Sequence, residues 1–288
     1  MTRIAHVTDL HFGADDPAVV RALTAELNAN PPDLLAVSGD LTQGARRREF
    51  KAARAFIDSV QAPALVVPGN HDITPYDLPE RFLAPYRRWH EEIGPDTEPI
   101  WQDGTVAVLG LNTARRGQWH LDWSRGRVTG RRLAKLLAKL DALPPDLQRI
   151  VVAHHPLMPP ESAPLTTVVG GAKQALAALA RHGVRLVLAG HLHRSYSRIM
   201  PENVLEAERM PMILQGGSAT STRLRGEPNA FNMVTISGAG PIDVQHFQWR
   251  SGAWVINPVP HAANAVPRLE HDSFKSAPAL TPTRPPIR

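Results

Sequence analysis

Five short aliphatic runs in this chain each lead into residues that can hold a metal ion, and no other feature narrows its fold as far. Ile4-Ala5-His6-Val7 precedes Asp9-Leu10-His11, Leu34-Leu35-Ala36-Val37 precedes Gly39-Asp40, and Ala64-Leu65-Val66-Val67 precedes Gly69-Asn70-His71-Asp72. Ile150-Val151-Val152-Ala153 precedes His154-His155-Pro156, and Leu186-Val187-Leu188-Ala189 precedes Gly190-His191-Leu192-His193. Such runs read as strands buried on both faces. If they share one sheet, the five segments emerge along one edge, where open α/β sheets bind their ligands. That edge would gather the oxygens of Asp9, Asp40 and Asn70 with the imidazoles of His11, His154, His191 and His193. A donor set of nitrogen and oxygen without sulfur suits two transition-metal ions, and the chain reads first as a binuclear metal hydrolase.

Composition excludes several alternatives. At 288 residues and 43% hydrophobic the chain can bury a sizeable core. No window approaches the roughly 18 apolar residues of a membrane span. Met1 runs directly into the first strand and leaves no room for a signal peptide, so a cytoplasmic location is the expectation. There are no cysteines and hence no disulfides. The formal net charge is +5, from 32 Lys plus Arg against 27 Asp plus Glu. Arg46-Arg47-Arg48, Arg87-Arg88, Arg115-Arg116 and Arg131-Arg132 are scattered, as solvated helix faces would be, so neither a nucleic-acid arm nor a membrane surface is expected. A positive field would still attract an anionic phosphate ester.

Strand and helix patterns alternate through residue 193. Pro17 to Asn30 carries Val20, Leu23 and Leu27 at helical spacing, and 46–60 repeats this with Phe50, Ala53, Phe56, Ile57 and Val60. A Pro- and aromatic-rich stretch, 74–100, predicts one short helix with irregular flanks, followed by a strand at Val106–Leu111. Thr129 predicts an N-cap for a helix carrying Leu133, Leu136, Leu137 and Leu140, and a further helix spans about 171–182. Beyond 195 the stretches Tyr196–Met200, Met212–Leu214, Asn232–Ile236 and Val244–Trp249 lack intervening helices. They predict a second, antiparallel sheet over about 195–260, packed on the first. The expected organisation is one domain over 1–274, followed by a Pro-rich, disordered tail at 275–288.

Taken singly, D-x-H or H-x-H is weak evidence, although two-residue spacing does place both side chains on one side of extended backbone. Five such segments, with glycines at 39, 69 and 190 that let the backbone turn beside a ligand, are hard to obtain by accident. The series D-x-H, G-D, G-N-H-D, H-H-P, G-H-x-H resembles the full signature of the calcineurin-like metallophosphoesterases across residues 4–193. It is most similar to the class III cyclic-nucleotide phosphodiesterases and their glycerophosphodiesterase relatives. The resemblance implies a four-layer α/β/β/α sandwich, two mixed sheets flanked by helices, with two metal ions at its mouth. It assigns Asp9, His11 and His193 to one metal, Asn70, His154 and His191 to the other, and Asp40 to both. Iron with manganese or zinc is the implied pair, while the donor chemistry alone admits Mn, Fe, Zn or Co.

The same resemblance places His71 outside the metal shell. There it would hydrogen-bond the phosphate or protonate the leaving oxygen, with Asp72 available to fix its tautomer. Asn70 would coordinate through its carbonyl and keep its amide free to donate to substrate, and His155 would support a ligand or contact substrate. The implied reaction is in-line attack on phosphorus by a hydroxide bridging the metals. The substrate is a small phosphodiester, for which 3′,5′-cyclic AMP is the leading family-based expectation. A broader phosphodiesterase, phosphomonoesterase or glycerophosphodiesterase is the alternative, and a non-catalytic metal-binding scaffold the remote one. Trp119, Trp123, Arg115 and Arg116 in one loop, and Gly216-Gly217-Ser218-Ala219-Thr220 with Arg223 in another, are candidates for the pocket rim. Some relatives dimerise through the C-terminal sheet, and a homodimer is left open.

Overall fold

A computed structural model describes residues 1–117, 124–199 and 210–258. Trp119 and Trp123, and the tail expected at 275–288, lie outside the described residues.

The aliphatic runs form strands as expected, but not in one sheet. β1 (Thr2–Val7), β2 (Leu34–Val37) and β3 (Ala64–Val66) pair in parallel. The other two runs form β6 (Gln148–Ala153) and β7 (Val184–Ala189), which pair in parallel in a second sheet. The second sheet also holds β4 (Ile100–Gln102), β5 (Val106–Leu111), β8 (Tyr196–Ile199) and β9 (Met212–Gln215), in the order β4-β5-β6-β7-β9-β8. The first is completed by β10 (Ala230–Ile236), β11 (Ile242–Arg250) and β12 (Ala253–Asn257), in the order β12-β11-β10-β1-β2-β3. The late strands therefore do not make a sheet of their own. β1 and β7 would otherwise be open edges of parallel sheets, and an unpaired row of N–H and C=O groups is a ready template for another strand. β10 pairs antiparallel with β1, and β9 pairs parallel with β7, so the C-terminal region is shared between the two sheets.

Three apolar clusters define the layers. Ile4, Leu34, Val108, Ile150, Leu188 and Val234 meet between the sheets. The outer face of the first sheet packs Ala5, Val7 and Leu35 on α1 (Pro17–Ala29) and α2 (Arg47–Ser59), through Leu23, Leu27, Phe50 and Phe56. The outer face of the second packs Leu109, Val151 and Val187 on α5 (Gly130–Asp141) and α6 (Ala172–Arg181), through Leu136, Leu140, Leu176 and Leu179. The result is the α/β/β/α sandwich.

Local chemistry starts these helices where the sequence says they should start. Asp16 accepts from the Ala18 amide at the head of α1, and Thr129 accepts from Arg132 at the head of α5. The 74–100 stretch holds two short helices instead of one, α3 (Leu78–Leu83) and α4 (Arg87–Glu92). The break at residues 84–86 is held by ion pairs from Arg87 and Arg88 to the buried Glu80. Among the described residues no helix is long and apolar enough to cross a membrane.

Because both sheets run their parallel strands the same way, the segments after β1, β2, β3, β6 and β7 meet at one end of the sandwich. That shared end, not one sheet edge, is what gathers the donors.

Candidate metal centre

Asp9, His11, Asp40, His191 and His193 all have positive φ, between 51° and 79°, and are five of the seven non-glycine residues so described. Left-handed backbone costs of order 1 kcal/mol or more per non-glycine residue and persists where surrounding structure enforces it. Here each strained residue sits at the turn just past a strand, which swings its side chain back over the end of the sandwich. Hydrogen bonds enforce the turns: Asp9 N donates to Gly39 O, His11 N to Asp40 O, and Ser218 Oγ to Asp9 O.

The expectation that all three glycines serve sharp turns holds for Gly39, whose φ is +91°. Gly69 has an ordinary φ and is needed for space, because a Cβ there would overlap the Asp40 amide and Oδ1.

The first donor set surrounds Asp9 Oδ1. His193 Nε2 lies 3.2 Å from it, His11 Nε2 3.6 Å, and the two imidazole nitrogens are 3.0 Å apart. Asp9 Oδ2 is tied down by Thr8 Oγ1 and the His191 amide, each at 2.8 Å, which aims Oδ1 inward. His193 Nδ1 donates to Arg223 O at 3.0 Å, leaving Nε2 a lone pair. The second set surrounds Asn70 Oδ1, which lies 3.1 Å from His154 Nε2 and 3.0 Å from His191 Nδ1. His154 Nδ1 donates to Ser38 O at 2.8 Å, which turns its Nε2 toward Asn70 and Asp40. Asp40 stands between the sets: its Oδ2 is 3.3 Å from His154 Nε2 and 3.8 Å from His11 Nε2, while Oδ1 accepts from the His71 amide at 2.8 Å.

These residues fit a pair of metal ions. Ligands about 2.1 Å from one ion, at tetrahedral or octahedral angles, sit about 3.0–3.4 Å from one another; four of the five spacings fall in that range, and His11 Nε2 to Asp9 Oδ1, at 3.6 Å, is slightly longer. Asp9 Oδ1 is buried without a hydrogen-bond partner, a costly arrangement that a cation beside it would relieve. Asp40 Oδ2 faces both sets, as a shared ligand must.

Charge is distributed accordingly. Burial would raise the Asp9 and Asp40 carboxyls, but the imidazoles around them outweigh it and hold both well below the usual carboxylate range. Burial also opposes protonation of His154, yet Asp40 and Asp9 lift it to about 9, while burial and the neighbouring His154 push His191 down to about 4. A metal-free centre thus keeps positive charge between two carboxylates.

His71 is half-buried and lies against His11 and Asp40. Its ring stands edge-on to His11 at 4.8 Å, and Nδ1 donates to Gln43 O at 2.7 Å, leaving Nε2 for a substrate. The expectation that Asp72 orients His71 is not met. The buried Asp72 carboxylate instead accepts from Leu41 N, Thr42 N, Thr42 Oγ1 and Gly69 N, folding the 39–42 and 69–72 turns onto each other. Burial and the neighbouring Asp40 raise it to about 6. His155 is buried with both ring nitrogens engaged, Nε2 by Ser124 O and Nδ1 by Thr113 Oγ1, and its ring packs beside His154 and His191. That leaves it no free nitrogen for substrate.

Of the rim candidates, Ser218 and Thr220 are buried and brace the Asp9 loop by donating to Asp9 O and Leu10 O. Arg223 reaches the rim and donates to Gln43 Oε1 at 3.3 Å. Arg116 instead caps α3 through Phe82 O. Sequence patterns missed Arg225, whose charge acts on both His191 and His193. They also missed the orienting carbonyls of Ser38, Gln43 and Arg223, which carry no side-chain signature.

Comparisons with known proteins show the family and the fold. A family model described as calcineurin-like phosphoesterase matches residues 2–195. A probable cyclic nucleotide phosphodiesterase from Synechococcus is 26% identical over 206 residues, 67% of this chain and 74% of that protein. The glycerophosphodiester phosphodiesterase GpdQ of Enterobacter lignolyticus is 27% identical over 206 residues, 66% of this chain and 70% of that protein. A purple acid phosphatase from yellow lupin shares the fold with a TM-score of 0.64 at 12% identity, over 88% of this chain and 52% of that one. A dimetal phosphatase from Danio rerio does so with a TM-score of 0.60 at 12% identity, over 84% of this chain and 98% of that one.

Proposed function

The chain belongs to the calcineurin-like phosphoesterase family, a family of metal-dependent phosphoric ester hydrolases, and from that premise we propose that it hydrolyses a small phosphodiester at a two-metal centre bridged by Asp40. The observation that carries this reading is the placement of Asp40 Oδ2 between two complete donor sets. Asp9, His11 and His193 would hold one ion and Asn70, His154 and His191 the other, with iron, manganese or zinc as the expected metals. When bound, such a pair supplies Lewis acidity and lowers the pKa of bound water.

The chain's own groups do the rest. His71 presents Nε2 at the opening, where its imidazolium form donates to a phosphate oxygen or to the departing alkoxide. Asn70, whose Oδ1 faces the imidazoles, keeps its amide for the phosphate. Arg223 and Arg225, both exposed beside the centre, add positive potential where an anionic ester approaches. His155 supports the centre by packing on His154 and His191, and Asp72 supports it by holding the turns together. The named activities of the two sequence relatives favour a diester over a monoester, with 3′,5′-cyclic AMP and glycerophosphodiesters as the leading substrates.

A single panel tests this. With defined Mn, Fe or Zn loading, kcat/KM should be higher for bis-p-nitrophenyl phosphate than for p-nitrophenyl phosphate. Cyclic AMP or glycerophosphoethanolamine should be turned over, and single-stranded DNA should not. Preference for the monoester, or no hydrolysis under any loading, would overturn the proposal.

A further inference from the structure

The loop between β2 and α2, residues 41–46, has every backbone N–H accounted for, and two buried carboxylates take most of them. Asp72 accepts from Leu41 and Thr42, while Glu49 Oε2 accepts from Gly44 at 2.8 Å and Arg46 at 3.2 Å. Gln43 N donates to Phe12 O, and Ala45 N donates to Thr42 Oγ1. The Gln43 carbonyl is turned the other way and accepts the His71 Nδ1 proton.

We propose that Glu49 is the positioning residue for His71, acting through the Gly44 and Arg46 amides to fix the Gln43 carbonyl that orients the imidazole. Glu49 is only 3% exposed although it lies in the first turn of a surface helix. A carboxylate is buried at such a cost only when strong donors satisfy it. Its other oxygen packs against Gly13, where a Cβ would come within 2.8 Å, so the carboxylate is wedged between the 11–14 and 42–46 loops. Ala45 is held at φ 53°, a further sign that the loop is constrained to one shape. Asp72 cannot do this work alone, since its bonds stop at Thr42, one residue short of the carbonyl in question. Truncating Glu49 would free two amides and let the Gln43 peptide rotate, and an imidazole displaced by about 1 Å can lose about 10²-fold in rate.

The proposal rests on His71 acting on substrate, and the experiment separates the two. Glu49→Ala, Glu49→Gln, His71→Ala and the Glu49→Ala/His71→Ala double variant are assayed with metal content and melting temperature recorded for each. The substrates are bis-p-nitrophenyl phosphate, whose acidic leaving group needs little protonation, and an alkyl diester. The alkyl diester is cyclic AMP, or glycerophosphoethanolamine if the cyclic nucleotide is not turned over. His71→Ala unchanged on both substrates would sink the reading of His71 itself. Given a His71 effect, Glu49→Ala should reproduce its substrate profile, with kcat down about 10-fold or more on the affected substrate and metal content intact. Glu49→Gln, which keeps an acceptor oxygen, should stay close to wild type, and the double variant should be no slower than His71→Ala. Wild-type kcat in Glu49→Ala, or a loss that adds in full to that of His71→Ala, would overturn the proposal. Should Glu49→Ala fail to fold, Glu49→Asp takes its place, and the same additivity criterion decides.

Discussion

At the scale of single residues, the centre is built on positions where the backbone has little choice. Asp40 carries positive φ and its amide lies so close to Gly69 that no side chain fits between them. Gly69→Ala should therefore push Asp40 from its place between the two donor sets. The expected result is bound metal below about one ion per chain and kcat reduced by about 10²-fold or more, because the shared ligand is displaced. Gly94→Ala is the control: a Cβ there meets nothing within 4 Å, and both metal content and kcat should stay at wild-type levels. Residue types also explain how much of the site was legible in advance. Asp, Asn and His announce their chemistry by name, so the seven candidate donors could be picked out from the order of letters. The groups that aim them are mostly carbonyls, at Ser38, Gln43 and Arg223, and a carbonyl looks the same in every residue. The orientation of His71 by Gln43 instead of Asp72 was invisible for that reason.

At the scale of elements, strands with a strong aliphatic pattern were readable and those without it were not. β4 is three residues long and β12 is an exposed hairpin partner, so neither stands out from its flanks. Which sheet a late strand joins depends on where an unpaired edge is available, a property of the assembled sheets and not of the strand. One consequence of the β1–β10–β11 pairing concerns two histidines that are not among the donors. His6 on β1 and His246 on β11 face the space between the sheets, linked through Asn232, with His6 Nε2 on Ser38 Oγ. Burial lowers both, His6 to about 3 and His246 to about 4. A neutral histidine in the fold, facing an unfolded value near 6.5, means that the unfolded chain binds more protons between those values. Their contribution is therefore complete above about pH 6.5 and is lost as pH falls, until about pH 4 for His246 and about pH 3 for His6. Each should cost on the order of 2 kcal/mol at pH 5. In urea unfolding of the metal-free chain at pH 7.5 and 5.0, His246→Gln should show a smaller drop in stability than wild type, and equal drops would count against this origin.

At the scale of the whole molecule, the sandwich brings two separate sheets to one end so that five strand termini share a pocket. The resemblance carried by the five segments implied the four layers correctly, while the rule of one sheet and one edge did not survive. An inter-sheet core of aliphatic side chains fixes the distance between the two halves of the site, because Asp9, Asp40 and Asn70 follow strands of one sheet and His154, His191 and His193 follow strands of the other. Neither donor set is complete on a single sheet, which makes metal binding a property of the packed sandwich. The central claim is that Asp40 joins two ions held across the sheets, and elemental analysis after metal-replete purification tests it most directly. Wild type should carry about two ions of iron, manganese or zinc per chain, and Asp40→Ala should lose both together while its circular dichroism stays native. A wild-type chain without metal, or an Asp40→Ala chain that still holds two ions, would contradict it.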